Sequence, residues 1–407
     1  MCGIAGFCNF NENFEENTDY WNFRLEKMRA VLAHRGNDAR GRFLKKHIGL
    51  SHSRLAIRDI LCGDQPMTRT HNGYDYTICY NGEIYNTDEL IPELSENGFV
   101  CSTTSDTEVI LYAYIHWGAD FVSRLNGIFA FAIWDAAKNR LLLYRDRVGV
   151  KPLFFAIRGD SLVFGSEPKA CFAHPAVKPE LNKQGLQELL AIGPAHTSGL
   201  SLFKDLFEVL PGHFMIYSRD GLHDETYWEL TSHEHTDSYQ DTVAHTRFLV
   251  EDAIKRQMVS DVPVCTFLSG GIDSSIVTAI AANYMNTRGK TLNTFSFDFK
   301  DNDKYFKANA FQPERDLPYV NRMLEEYETA HSYLECDENA LFKALFAAVD
   351  AKDMPGMTDV DSSLLYFCSL VSRKNKVALT GECADEIFGG YPWFYRKELL
   401  ERYGFPW

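Results

Sequence analysis

Two domains are predicted for this chain, a layered α+β domain built on antiparallel sheets and then an α/β domain with a parallel sheet. Three observations carry that expectation. The chain has 407 residues, more than one ordinary hydrophobic core accommodates. Its first half holds short apolar or alternating runs bounded by Gly, Asn and Asp, the pattern of short strands. Its second half alternates compact apolar runs with helical periodicity, the pattern of strands crossed by helices.

In the first half the strands fall at Thr77–Tyr80, Gly127–Trp134, Arg140–Arg145 and Leu162–Gly165, and helical spacing appears at Trp21–Ala33 and Thr107–His116. The texture changes between residues 195 and 240. Pro211-Gly212 signals a turn, and the polar stretch Thr231–Asp241 reads as a connector. The domains are therefore expected at 2–215 and 236–407. Beyond the connector, Val243, Val250, Ile254 and Met258 recur at helical spacing and predict a helix over Thr242–Met258. A buried strand at Val264–Leu268, a Gly-rich turn and a helix from Ile276 follow, with further strands at Thr294–Phe299 and Val377–Leu379.

Composition narrows the function classes. With 45% hydrophobic and 24% charged residues the chain is globular rather than disordered. Its 41 basic and 56 acidic side chains sum to −15, which disfavours a general role on nucleic acid or an anionic membrane. No apolar run approaches a membrane span, and the N-terminus lacks a basic-then-apolar secretion pattern. The 10 cysteines are scattered with no C-x-x-C pair, so neither a zinc site nor a redox motif is signalled. A cytoplasmic protein with reduced thiols is expected.

The chain opens Met1-Cys2-Gly3-Ile4-Ala5-Gly6-Phe7. With Met1 removed, Cys2 would carry a thiol and a free α-amine, which titrate near about 8.5 and about 8, so the amine can serve as base for its own side chain. A buried strand that happens to begin with Cys is the alternative. Four strings bear on that choice: His34-Arg35-Gly36, Ser51–Ile57, Tyr80-Asn81-Gly82-Glu83-Ile84-Tyr85-Asn86 and Thr104-Ser105-Asp106-Thr107-Glu108. A free amino acid such as glutamine needs a guanidinium for its carboxylate, carboxylates for its ammonium and a donor for the oxyanion. Arg54, Glu83 with Asp106, and Asn81 with Gly82 have that chemistry, although Asn81-Gly82 is also a good hairpin turn.

Taken together these strings resemble the N-terminal-nucleophile glutaminase domain of class II amidotransferases. Asn126–Asp135, Arg145–Leu153 and Phe164–Ala170 are similar to that family's asparagine-synthetase branch. The resemblance implies an αββα glutaminase domain in which Cys2 attacks the glutamine amide. It also implies that Arg54, Asn81, Glu83 and Asp106 bind glutamine, and that Asn81 and Gly82 form the oxyanion hole.

Leu268-Ser269-Gly270-Gly271-Ile272-Asp273-Ser274-Ser275 lies between a predicted strand and a predicted helix. Its glycines let main-chain N–H groups curl around an anion, and the serines add donors. Ser274 or Asp273 would serve equally as helix caps. No Gly-Lys-[Ser/Thr] follows, so the loop is not a Walker A motif. It resembles the PP-loop of ATP pyrophosphatases, of adenine-nucleotide alpha-hydrolase-like fold. That implies contacts to ATP from Leu268, Ser269, Gly270, Gly271, Asp273, Ser274 and Phe297. Thr380-Gly381-Glu382-Cys383-Ala384-Asp385-Glu386 follows the last predicted strand and also fits an acidic helix start. By the same resemblance, Thr380 and Gly381 would touch nucleotide, Glu382 would be catalytic beside the acyl-adenylate, and Asp273 and Asp385 would hold Mg2+.

The implied activity is a ligase reaction with glutamine, aspartate and ATP as substrates, Mg2+ as metal and no prosthetic group. The resemblance also admits a homodimer. Two features depart from the family pattern. Asp353–Ser363, where the acceptor-recognition loop belongs, contains no Arg, and the family's synthetase domains continue beyond the Gly389-Gly390-Tyr391 segment, whereas this sequence stops at Trp407. A C-terminally incomplete synthetase half is therefore expected. A different carboxylate acceptor, a free-standing glutaminase and a silent regulatory subunit remain the alternatives.

Overall fold

A computed structural model describes residues 1–193, 196–308 and 314–403, so Trp407 lies outside the described residues. The chain divides into two compact units, Met1–His235 with Phe346–Thr358, and Thr236–Leu345 with Asp359–Trp407.

The first unit holds strands β1 (Gly3–Asn9), β2 (Ala39–Lys45), β3 (Ile48–Arg54), β4 (Met67–His71), β5 (Tyr74–Ile84) and β6 (Gly127–Asp135). They continue with β7 (Arg140–Arg145), β8 (Phe154–Arg158), β9 (Ser161–Gly165), β10 (Phe207–Glu208), β11 (His213–Ser218) and β12 (Gly221–Thr226). Its main helices are α1 (Thr18–Ala30), α2 (Thr87–Glu96), α3 (Asp106–Trp117), α4 (Pro168–Phe172) and α5 (Lys183–Ile192). The strands form two six-stranded antiparallel sheets, ordered β10-β8-β9-β1-β3-β2 and β12-β11-β7-β6-β5-β4.

Side chains alternate across a strand, so each sheet presents two faces. Ile4, Ile48 and Phe164 of the first sheet pack with Ala132, Leu143 and Met215 of the second, which makes the layer between the sheets. The neighbours on β1, Ala5 and Phe7, point the other way onto Leu25 and Met28 of α1 and Ala170 of α4. On the outer face of the second sheet, Ile78, Phe131 and Leu142 meet Leu94 of α2 and Ile110 of α3. The layer order is thus helix, sheet, sheet, helix. Phe131 is fully buried between Tyr144 and Phe129, and its truncation to Ala would cost about 3–5 kcal/mol.

Asn81 and Gly82 lie inside β5, paired with Ala130 and Phe129, and form no turn. A Cβ on Gly82 would come 2.3 Å from the Ile128 carbonyl oxygen, so the glycine serves close approach of β6.

The second unit carries α6 (Tyr239–Arg256), α7 (Ile272–Asn286), β13 (Val264–Phe267), β14 (Leu292–Phe299), β15 (Thr329–Cys336) and β16 (Val377–Leu379). These strands form a parallel sheet in the order β15-β14-β13-β16. Val264 and Leu292 pack on Ala281 and Ala282 of α7. Cys265 and Phe295 pack instead on Phe367 and Val371 of the helix Thr358–Val371, so the sheet is covered on both faces. The chain leaves β13 toward β14 on one side and returns to β16 on the other, which makes the carboxyl end of β13 a switch point where ligands bind in such sheets. Helix α7 begins four residues before the expected Ile276, because extended Gly271 caps it and Ile272–Ser275 form its first turn. Among the described residues, no helix is long and apolar enough to cross a membrane.

Candidate active site

Register places the first chemical centre. Gly3 of β1 pairs with Ser53 of β3, so the residue before Gly3 falls beside the residues that leave β3. There the Leu55 N–H donates to Cys2 Sγ at 3.4 Å, and Sγ reaches the Leu55 carbonyl oxygen at 3.6 Å. Burial pushes the Cys2 thiol up, and the Leu55 hydrogen bond opposes that rise. The α-amine of this chain belongs to Met1 and is lowered to about 5, first by burial and then by the Arg35 and Lys151 cations.

A charged frame holds this end of β1. Arg35 Nε donates to the Cys2 carbonyl oxygen at 2.8 Å, and Arg35 Nη1 donates to Glu167 Oε1 at 2.7 Å. His34 Nε2 lies 3.0 Å from the same oxygen, and Lys169 Nζ lies 3.0 Å from Glu167 Oε2. Although burial alone would raise Glu167, its hydrogen bond to His34 and the Arg35 charge hold it at about 2. Lys169 also binds Asp353, through its N–H to Oδ2 at 2.9 Å and through Nζ to Oδ1 at 3.3 Å. Lys151 is buried with Nζ 3.0 Å from Met1 Sδ, on a turn pinned by Asp146 Oδ2, which accepts its N–H at 2.9 Å.

The expected glutamine-binding residues approach this centre unevenly. Asn81 is 1% exposed, and its Nδ2 has no hydrogen-bond partner among the described residues. Asp106 accepts from Tyr80 Oη at 2.8 Å and from the Ile84 N–H at 3.1 Å. Glu83 is pushed up to about 8, by burial first and then by Asp106, and burial also raises Asp106, so the two buried carboxyls resist both being ionised. When ionised, Glu83 also raises the Cys2 thiol. Arg54 is buried, but its Nη groups are already engaged by a loop: Nη1 donates to the Ile60 carbonyl at 3.1 Å and to Asp64 Oδ1 at 3.0 Å. Arg54 Nη2 donates to the Arg58 carbonyl at 3.3 Å and to that of Asp59.

In the second unit the loop 268–271 leaves the carboxyl end of β13. Ser269 Oγ and Ser274 Oγ are 2.9 Å apart, Gly270 has φ +90°, and Ser274 Oγ donates to the Gly271 carbonyl at 3.2 Å. Leu268 is buried and donates its N–H to the Phe295 carbonyl at 2.8 Å, while Phe297 packs on Phe367 with ring centres 5.1 Å apart. The two motifs meet at Asp273. A Cβ on Gly381 would lie 2.3 Å from its Oδ2, and one on Gly271 would lie 2.6 Å from its Oδ1. Asp385 is drawn elsewhere, against Gly390, whose N–H donates to its carbonyl at 2.9 Å. Thr380 Oγ1 accepts the Glu382 N–H at 3.4 Å, and Glu382 itself is exposed. No cluster of three metal-ligating side chains occurs among the described residues. A magnesium ion carried on ATP phosphates would need only one or two protein carboxylates, and of the two expected ones only Asp273 lies where the motifs meet.

Sequence reasoning assigned no role to Arg35, Lys151 or Glu167. Each sits in a string that carries the family resemblance, while the pairing of Arg35 with Glu167, 132 residues apart in the chain, gave no local sign.

A glutamine amidotransferase domain matches residues 1–228, and an asparagine synthase domain matches residues 245–407. The chain is 48% identical to glutamine-hydrolysing asparagine synthetase 3 of Bacillus subtilis over 100% of its own length and 66% of that protein. It is 33% identical to the glutamine-hydrolysing asparagine synthetase 1 of the same organism, over 98% of this chain and 60% of that one. It is also 33% identical to the amidase chyE of Penicillium rubens, over 100% of this chain and 61% of that one. The chain thus spans somewhat less than two thirds of the length of each of these relatives. With the two domains in this order along its sequence, the chain belongs to the glutamine-hydrolysing asparagine synthetase family.

Proposed function

We propose that this chain makes asparagine from aspartate, with ATP as the activating co-substrate and glutamine as the nitrogen source. One observation carries the glutaminase half: a cysteine at the second residue takes the Leu55 main-chain N–H on its sulfur at 3.4 Å. An amine that is neutral near pH 7 can accept the thiol proton. Removal of Met1 would free the α-amine of Cys2 itself, beside its own thiol, to take that role. The sulfur then attacks the glutamine amide carbon, ammonia leaves, and water hydrolyses the glutamyl thioester to glutamate.

Each side chain has a matching task. Asn81, with a buried Nδ2 that has no partner among the described residues, and Gly82 donate to the oxyanion. Glu83 and Asp106 take the α-ammonium, and Arg54 takes the α-carboxylate. Arg35 positions Cys2 through its carbonyl, and Glu167 positions Arg35.

For the synthetase half, ATP binds with Mg2+ on the loop 268–271, and its phosphates meet Ser269, Gly270, Gly271 and Ser274. Leu268, Phe297, Thr380 and Gly381 contact the rest of the nucleotide, while Asp273 and Asp385 would hold a metal that offsets the phosphate charge. The aspartate side-chain carboxylate displaces pyrophosphate from ATP, and ammonia then displaces AMP from the acyl-adenylate beside Glu382. Water would compete for that adenylate, so the chemistry requires a shielded reaction. The working parts proposed are residues 2–215 and 236–407, in the cytoplasm, where the ten free thiols stay reduced.

A second reading keeps both half-reactions and changes the acceptor. It is favoured by the segment Asp353–Ser363, which has no Arg and carries Asp353, Asp359 and Asp361. Incubation with amide-15N glutamine, Mg-ATP and aspartate tests both. Labelled asparagine with matching AMP is expected. AMP and label on another supplied acid, with none on aspartate, would replace the first reading with the second, and no glutamate release would overturn the glutaminase assignment.

A further inference from the structure

We propose that Asp64 sets how tightly the glutamine site binds, by occupying the guanidinium that must receive the substrate α-carboxylate. The inference rests on the glutaminase reading and deepens it. Arg54 has four Nη hydrogens, and the four acceptors they meet are the carbonyls of Arg58, Asp59 and Ile60 and the carboxylate of Asp64. All four Nη hydrogens are engaged before any ligand arrives.

These partners differ in how readily they leave. The carbonyls belong to a turn locked from within. The Asp59 carboxylate accepts the N–H groups of Cys62 and Thr104, each at 2.8 Å, and the Asp59 carbonyl accepts the Gly63 N–H at 3.0 Å. Gly63 packs so closely that a Cβ there would stand 2.3 Å from Arg54 Nη2. Releasing a carbonyl would therefore break the turn. Asp64 is tied differently, because its side chain is 74% exposed while that of Arg54 is 6% exposed. Its carboxylate can swing into water at little cost, which uncovers one edge of the guanidinium. A carboxylate of the ligand would take the same hydrogens, so the two compete, and they also repel when both are near.

Asp64 thus acts through Arg54 and never touches the reacting amide. Its removal should change affinity for carboxylate-bearing ligands and leave the chemical step alone. An exposed ion pair is worth a factor of about two to five in binding, which sets the expected size.

The test compares the wild-type chain with Asp64→Asn and Asp64→Glu, in steady-state glutamine hydrolysis and in calorimetric binding on a Cys2→Ala background. L-glutamine and 4-aminobutanamide, which lacks the α-carboxylate, are the ligands. The expected result is a KM and Kd for L-glutamine about two- to fivefold lower in Asp64→Asn, with kcat unchanged and 4-aminobutanamide unaffected. Asp64→Glu should stay within twofold of wild type. An unchanged or weakened affinity in Asp64→Asn would mean that Asp64 braces Arg54, and would overturn the proposal. Equal tightening for both ligands would indicate a loosened loop and would overturn it too. A wild-type chain that neither binds nor hydrolyses glutamine would remove the glutaminase reading itself, and this inference with it.

Discussion

Cys2 and Leu55 face each other across the end of two paired strands, the Leu55 N–H 3.4 Å and its carbonyl oxygen 3.6 Å from the cysteine sulfur. The same residue can therefore accept the proton side of a thiol and donate to a thiolate. Both partners are main-chain atoms, so the arrangement depends on the strand register and not on the leucine side chain. Cys2→Ala should abolish ammonia release from glutamine and leave synthesis from added ammonium unchanged within about twofold. Coupled detection of glutamate and AMP in the two assays separates these outcomes.

Glu83 gives a pH signature. Its carboxyl is raised from 4.5 to about 8 in the folded chain, so the folded state binds more protons than the unfolded state between those values. The stability that this protonation contributes is full below about 4.5 and is lost as pH rises through about 8. Glu83→Gln keeps a neutral group there and should melt higher than wild type at pH 9, with little difference at pH 5. A bound ammonium favours the charged form, so wild-type glutamine binding should release protons at pH 7. Melting curves and calorimetry in buffers of different ionisation enthalpy check the two statements.

Glu167→Ala should destabilise the first unit by about 3–5 kcal/mol, because it leaves the Arg35 charge buried without its carboxylate. The Arg35 and Glu167 side chains are 8% and 10% exposed. Chemical denaturation measures the loss, and a fall in glutamine kcat should accompany it, since Arg35 holds the Cys2 carbonyl.

Gly381→Ala should strike the ATP half alone. The new Cβ would meet Asp273 Oδ2 at 2.3 Å and force that carboxylate away from the loop 268–271. Aspartate-dependent ATP–pyrophosphate exchange should fall by about tenfold or more, a shift of about 1.4 kcal/mol in the barrier. Glutamine hydrolysis should persist, which a glutamate assay without ATP would report.

Much of the layering was legible in periodicity. The run Gly127–Trp134 pointed to β6, and Val264–Leu268 and Val377–Leu379 to strands of the parallel sheet, because apolar runs of that length between turn residues have few other uses. Local signals misled where a residue type serves two purposes. Asn81-Gly82 carries turn chemistry, yet the glycine is there so that Ile128 can come close. Ser274 was readable as a cap, but the cap is Gly271 and the serine hydroxyl binds within the loop. The hold of Asp64 on Arg54 was invisible, since a ten-residue separation through a loop leaves no periodic trace. Glu167 is farther still from Arg35, and only a fold that brings β9 beside β1 joins them.

Phe346–Thr358 belongs with the first compact unit, although the sequence on either side of it belongs with the second. The polypeptide therefore changes unit after His235, after Leu345 and again after Thr358. A recombination event near residue 236 would hand the Asp353 partner of Lys169 to a foreign glutaminase and deprive its own. A chimera joined at that point keeps this ion pair only where the incoming partner also supplies an acid at the Asp353 position, so the two halves are not independent cassettes by construction.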